Sequence, residues 1–284
     1  MASTIQLKRR IRTAQNISKT TRAMNMIATS KLKRAQESAV SSRPYSEKLG
    51  EVAMAIAENV EPGEKSSYLK ASKSEKEMYI VISPDKGLCG GMIANLARTF
   101  TLETKNKDVL VMTIGKKMEP YILRAKKEIV ASFPFGNTVP AYSAVLAITK
   151  VVDDFFLTAK AGKIYLLTTQ FVNVFTQSTK IIQLLPLQLN SDYQKKILKP
   201  VSLFEPSSEE ILPAILRRYI EMTIYHAMTE SYAAEQAARM TAMKNATDNA
   251  NDIIEELKLV YNKTRQEKIT GELLDISGSA FAAA

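Results

Sequence analysis

AILRRYIEMTIYHAMTESYAAEQAARMTAMKNATDNANDIIEELKLVYNKTRQEKIT, residues Ala214 to Thr270, contains no glycine and no proline. At about 1.5 Å per residue, an unbroken helix of that length reaches roughly 85 Å. An ordinary globular helix has about a dozen residues. No compact core in a chain of 284 residues needs such an element, so the stretch calls for a partner of comparable length. Its own seam reads Met240, Met243, Ala246, Ala250, Ile253, Leu257, Val260 and Thr264, eight positions covering 24 residues in seven steps, about 3.4 each. That is the spacing of a helix packed along another helix. Methionines at such spacing read as core. Upstream, Ser207 followed by Glu210 has the capping-box pattern and Pro213 falls in the first turn, where proline is tolerated.

The partner lies at the other end of the chain. Residues 5 to about 40 carry a stripe of Ile11, Ala14, Ile17, Thr21, Met24, Ala28, Leu32, Ala35 and Ala39, nine positions over 28 residues with a mean step of 3.5. The two seams share a period, and both use small residues that allow close approach. Pro44 predicts a kink or a restart, after which SEKLGEVAMAIAENV resumes helical spacing up to Glu61-Pro62-Gly63. Residues 61–76 are polar and read as a linker.

Composition narrows the function classes. Apolar content is 45% and charged content 24%, the balance of a folded chain. No run of about 18 apolar residues exists to span a membrane. One cysteine, Cys89, excludes an internal disulfide, and with one histidine, His226, it argues against a His/Cys metal site. His226 sits mid-helix and reads as a packed or partly exposed helix residue rather than a catalytic base. The net charge is +10, and ten basic residues against Glu37 alone between Met1 and Arg43 supply +9 of it. A basic helix of this kind suits nucleic acid, an anionic membrane or an acidic protein surface. An Arg-rich, acid-poor start also fits a transit peptide, although the seam runs on past Ala28 without a processing boundary.

The middle alternates strands and helices. Glu77 to Ser83 and Asp108 to Gly115 are short β-branched runs that read as buried strands. Met92 to Phe100, Met118 to Val130 and Tyr142 to Ala159 read as helices, the last with Val145, Ile148, Val152 and Phe156 on one face. Lys163 to Phe171 and Ser178 to Leu185 are further strands. This order predicts an α/β layer domain with a largely parallel sheet. The turn Gly87-Leu-Cys-Gly-Gly91 is neither GxGxxG nor GxxxxGK[ST], and Gly115-Lys116 lacks the upstream glycine of a P-loop. It reads as a tight strand-to-helix turn needing positive φ. Cys89 is a nucleophile only with a base beside it, and the sequence shows none. The expected organisation is a coiled-coil helix over 1–60, a linker over 61–76, an α/β domain over 77–206, and a coiled-coil helix with its tip over 207–284.

EQAARMTAMKNATDNA (Glu235 to Ala250), LVYNKTRQ (Leu259 to Gln266) and Ile269-Thr-Gly-Glu272 closely resemble the gamma subunit of F-type ATP synthases. ISKTTRAMNMIATSKLK (Ile17 to Lys33), DKGLCGG (Asp85 to Gly91) and LRRY (Leu216 to Tyr219) resemble the same family in the same order. The resemblance covers nearly the whole chain.

That resemblance implies a fold of α/β plus a long antiparallel coiled coil, with a Rossmann-like α/β domain between the two coil helices. It implies a central rotor shaft turning inside alternating alpha and beta subunits, three of each, with the epsilon, delta and c-ring subunits as further partners. The chain is then a non-catalytic subunit without cofactor or metal, and no nucleic acid is expected. Its place is peripheral, on the cytoplasmic side of a bacterial plasma membrane, or on the matrix side of the inner membrane for a processed mitochondrial chain. By family match Met24 lies where the shaft meets the beta-subunit lever loop, a role compatible with seam packing. Arg265, Gln266 and Thr270 lie at the catch contacts, with Glu235 and Arg239 on the same surface, and Phe204 and Glu205 resemble the foot at the c ring and epsilon. The tail SGSAFAAA (Ser277 to Ala284) reads either as a loose apolar bearing or as a frayed end. The chain departs from the family pattern in the spacing of Asp275 and Gly278 and at Gly271, and it lacks the paired-cysteine insertion of chloroplast members. Without the resemblance, a nucleic-acid-binding coiled coil or an α/β enzyme with a dimerising coil would remain open.

Overall fold

The computed structural model describes residues 3–58, 66–70, 74–187 and 207–282. Five strands form one sheet: β1 (Glu77–Ile82), β2 (Val109–Ile114), β3 (Glu128–Phe133), β4 (Lys163–Phe171) and β5 (Gln177–Leu185), in the order β3-β2-β1-β4-β5. The first four are parallel, and β5 returns antiparallel to β4 as a hairpin edge. Three helices connect the parallel strands: α2 (Met92–Glu103), α3 (Glu119–Arg124) and α4 (Tyr142–Leu157). A strand order that runs outward in both directions from β1 is the doubly wound plan. β1 and β2 are buried almost throughout, as strands covered on both faces must be.

Alternation along the strands assigns the core. Tyr79 and Val81 of β1, Val109 and Val111 of β2 and Leu167 of β4 pack with Met92, Leu96 and Phe100 of α2 and Ile122 of α3. Tyr79 anchors this layer, edge-on to Phe100 at 6.3 Å and stacked on Tyr165 at 5.2 Å. The face of α4 read from its spacing, Val145, Ile148, Val152 and Phe156, is buried, and α4 packs on β4.

One strand was missed. The helix expected from Met118 to Val130 ends at Arg124, and Lys126 turns the chain with φ 56°. Glu128–Phe133 then pairs parallel to β2, with Ile129 beside Val111. The β-branched Ile129-Val130 was the local sign, and a six-residue helix is too short for helical periodicity to register. Gly115 explains how β1 and β2 end so close together. At φ 99° a Cβ there would sit 1.9 Å from the Ser83 carbonyl oxygen.

The two terminal helices are the longest elements, α1 (Thr4–Glu58) and α5 (Ser208–Ala282). Ser207 caps α5, its Oγ accepting from the Glu210 N–H at 3.3 Å. α1 does not restart at Pro44: one helix runs through it. An interior proline costs about 3 kcal/mol, and burial of Leu49, Ala53, Met54 and Ile56 beyond it opposes that cost. Part of the expected linker is also packed. Residues 67–69 form a 3₁₀ turn whose buried Tyr68 donates its hydroxyl to Asp153 Oδ1 at 2.8 Å.

Two compact units emerge: Met1–Ile27 with Met240–Ala284, and Ala28–Arg239. In the first, α1 and α5 run in opposite directions, since Ser18 bonds Asn251, Thr21 bonds Thr247 and Asn25 bonds Met240. The seam read from the sequence is covered at most of its positions and departs from the structure at Ile17, Ile253 and Val260, which are exposed. Ile17 and Ile253 are each 50% exposed, while Ser18 and Ile254 (8%) turn inward. On α5 a covered stripe runs through Met243, Thr247, Ala250, Ile254, Leu257, Tyr261 and Thr264 in steps of four and three, with Ala246 partly covered beside it. Apolar character alone pointed to Ile17 and Ile253; beside Ile17 the polar Ser18 bonds Asn251 instead, and beside Ile253 an equally apolar residue, Ile254, takes the covered position. Among the described residues no helix is long and apolar enough to cross a membrane.

Candidate functional site

In doubly wound sheets, ligands sit beyond the carboxyl ends of the parallel strands. Here the turn after β1, Pro84-Asp-Lys-Gly-Leu-Cys-Gly-Gly91, lies at that edge. Asp85 accepts from the backbone N–H groups of Lys116 at 3.1 Å, Phe135 at 3.1 Å and Gly136 at 2.8 Å. One carboxylate thus ties together the ends of three strands. The backbone N–H groups of the turns after β2 and β3 are thereby taken by a side chain. Leu88 (φ 63°) and Gly90 (φ 58°) supply the positive φ expected of the turn, with the leucine rather than Gly87 or Gly91 in the costlier position.

α5 closes the same edge. Arg239 donates through Nη1 to Glu235 Oε1 at 2.6 Å and through Nη2 to the carbonyls of Lys86 at 3.3 Å and Gly87 at 3.2 Å. Glu235 is buried and Arg239 nearly so, with side chains 5% and 12% exposed. Burial pushes the Glu235 carboxyl above the ordinary carboxylate range, and Arg239 pulls it back. Glu235 Oε2 is buried without a hydrogen-bond partner. Cys89 lies beneath, 1% exposed, its thiol pushed up by burial with Arg239 opposing. A thiol held up in this way is an inert packing residue rather than a nucleophile. Nearby, Lys31 of α1 and Tyr232 of α5 both donate to the Asn137 carbonyl, at 2.7 and 3.1 Å.

The Leu216 to Tyr219 motif also acts within the chain. Arg217 pairs with Asp153 at 3.1 Å, and Arg218 pairs with Glu221 at 3.1 Å while lying 4.7 Å over the Tyr142 ring. Tyr142 donates to Glu221, and burial together with that carboxylate pushes its hydroxyl up to about 12.

The remaining sequence-derived positions lie on the helix pair. Met24 is partly buried, and Arg265, Gln266 and Thr270 are exposed. Phe204 and Glu205 fall outside the described residues. One side of the pair carries an open apolar groove of about 540 Å³, lined by Ile17, Ala250, Ile253 and Leu257 with Arg9 and Arg10 at its rim. A model of the family described as ATP synthase matches residues 3–283. The ATP synthase gamma chain of Dehalococcoides mccartyi is 44% identical over 295 residues, covering the whole of both chains. The chain belongs to the ATP synthase gamma chain family.

The gamma chain of Roseiflexus castenholzii, 36% identical, aligns over all of this chain and 99% of its own. Solved structures share the fold. The central stalk and c-ring structure of the Tetrahymena thermophila mitochondrial ATP synthase contains a chain of TM-score 0.61 and 24% identity, covering 80% of this chain and 99% of that one. The Euglena gracilis mitochondrial ATP synthase contains one of TM-score 0.66 and 18% identity, covering 97% and 94%.

The gamma-chain motifs therefore separate by position. DKGLCGG, LRRY and the Glu235–Arg239 pair are engaged within the chain, whereas Arg265, Gln266 and Thr270 face solvent. Sequence reasoning missed the exposed Met26 and Ile27 beside Met24. Their sign was two consecutive large apolar residues lying off the seam. It also missed Asp85, whose role appears only when three strand ends converge.

Proposed function

We propose that the chain is the central rotor shaft of a proton-translocating F-type ATP synthase. Ion flow turns it, and the turning drives each beta subunit through binding, synthesis and release of ATP. The full-length match to gamma chains carries this reading, together with a 75-residue helix whose last part is exposed apart from its seam. α1 and α5 form an antiparallel coiled coil, and the four-and-three seam on α5 supports that geometry. The Rossmann-like domain of 77–206 serves as scaffold, joined to the coil helix of 1–60 through the segment of 61–76 and running directly into the coil helix of 207–284.

On this reading the chain performs no chemistry of its own, and the nucleotide sites belong to the beta subunits. Its partners are three alpha and three beta subunits, epsilon, delta and the c ring. The chain is peripheral to the membrane, on the cytoplasmic side in a bacterium and on the matrix side in a mitochondrion. Met24, Arg265, Gln266 and Thr270 contact the alpha and beta subunits. Glu235 contributes to that surface by holding Arg239, and Phe204 with Glu205 meets the c ring and epsilon. The basic helix of residues 5–40 suits rotation against acidic loops, because exposed, screened charges attract without locking.

Affinity purification of the tagged chain from gently solubilised membranes tests the reading. Alpha and beta subunits with ATPase activity should co-purify. Recovery of the chain alone, with no ATPase, would contradict it.

A further inference from the structure

Where α1, α5 and the turn after β3 meet, they enclose a cavity of about 230 Å³ lined by Lys31, Arg34, Asn137, Thr138, Val139 and Tyr232. No carboxylate neutralises its two cations. Arg34 forms no ion pair or hydrogen bond among the described residues, and Lys31 donates to the Asn137 carbonyl at 2.7 Å. The carboxylates of this edge are engaged elsewhere, Asp85 with the N–H groups of Lys116, Phe135 and Gly136, and Glu235 with Arg239. Glu37, one turn further along α1, pairs with neither cation. We propose that the cavity binds a phosphate group, free or carried on a small molecule.

The walls are set before a ligand arrives. Lys31 from α1 and the Tyr232 hydroxyl from α5 both hold the Asn137 carbonyl, and Asp85 fixes the two residues before it. The Thr138 hydroxyl and the Asn137 side-chain amide line the cavity, and neither is bonded among the described residues. Its floor is Tyr232, 1% exposed. Burial raises the Tyr232 hydroxyl and Glu235 adds to it, while Arg239 and Arg34 oppose, so the Arg34 charge reaches that floor. A cleft with one sign of charge over a low-dielectric wall concentrates the opposite charge. Lys31 and Arg34 supply two positive charges, and a phosphate carries close to two negative ones at neutral pH. A carboxylate would leave one cation unmatched. Ammonium, guanidinium, hydroxyl and amide together serve three phosphate oxygens. A phosphate has the bulk of a few waters, each about 30 Å³, so a small carrier also fits beside it.

NMR of the isotopically labelled full chain tests the site, with inorganic phosphate and glycerol 3-phosphate as probes at constant ionic strength. The Asn137 and Thr138 signals should shift saturably, with a Kd in the millimolar range. Affinity should rise as pH passes upward through about 6, where phosphate gains its second charge. Arg34 bonds nothing among the described residues, so Arg34→Gln should keep the melting temperature and weaken binding about tenfold, the worth of one charge-assisted bond. Arg34→Lys should retain more of the affinity. Thr138→Val is the second variant, with binding weakened about threefold. Tighter binding of one probe names the source, free phosphate or a carried one. Shifts that never saturate would overturn the site, as would an unchanged Kd in Arg34→Gln and Thr138→Val. Acetate binding as tightly as phosphate, or an affinity flat with pH, would overturn the choice of phosphate. The assay needs no partner subunit, so its outcome is separate from that of the rotor reading.

Discussion

Two stretches of α5 have opposite surroundings. Ser231–Ala238, SYAAEQAA, is buried at every position, and Arg265–Leu274, RQEKITGELL, is exposed everywhere except at Gly271. Both are helical, so helix formation does not separate them. The first holds four alanines, which let the helix lie close against the core through Ala234 and Ala238, and its one carboxylate is paired with Arg239. The second carries an exposed Lys268–Glu272 pair at 3.6 Å, of a kind that contributes little, and leaves Ile269 and Leu273 exposed. A helix without a packed face is marginal in water. The lesson is that burial inside the chain ends where burial by other chains is proposed to begin.

The largest expected effect lies in the buried stretch. Arg239→Ala leaves the Glu235 carboxylate buried without its cation and should cost about 3–5 kcal/mol in denaturant unfolding of the chain. The sign with pH is fixed. A carboxyl whose folded pKa is raised contributes stability that is full below the ordinary value of 4.5 and is lost as pH rises through the raised value. The defect of Arg239→Ala should therefore shrink between pH 8 and pH 5.5, and Glu235→Gln added to it should recover most of the loss. A pH-independent defect would break the contrast, because Arg239 would then act by packing alone. Next in size, Ile254→Pro should cost about 3 kcal/mol locally, leave the α/β domain folded by near-UV circular dichroism, and abolish proton-driven ATP synthesis in membranes.

Ala234→Leu sharpens the buried side with a smaller effect. Overpacking in the buried cluster that holds Ala234 should cost about 1–3 kcal/mol in thermal unfolding. At the exposed end, Arg265→Ala should change the stability of the chain alone by less than about 0.5 kcal/mol while lowering coupled ATP synthesis by the complex. If its whole effect appeared as stability, the two stretches would not differ in kind.

Much of this contrast was legible in the residues. Gly- and Pro-free length announced α5, and Val145, Ile148, Val152 and Phe156 announced the inner face of α4. β3 escaped because α3 is too short to show a helical period, and the left-handed Lys126 gives no signal in composition. The helix-pair seam was read at most of its positions and missed beside Ser18 and Ile254. An apolar count cannot foresee that Ser18 turns inward to bond Asn251 while Ile17 stays out. The Glu235–Arg239 pair was placed on a surface by resemblance. Its embrace of the Lys86 and Gly87 carbonyls brings together residues 153 and 152 positions apart, which no local pattern encodes.

Hydrogen exchange on the chain alone and on the purified complex tests most directly whether the exposed stretch is a surface for other chains. Amides of 231–238 should exchange at the same slow rate in both. Amides of 262–274 should exchange fast in the chain alone, where the helix end opens locally, and should be protected at least tenfold in the complex. Equal exchange of 262–274 in the two samples would contradict the account.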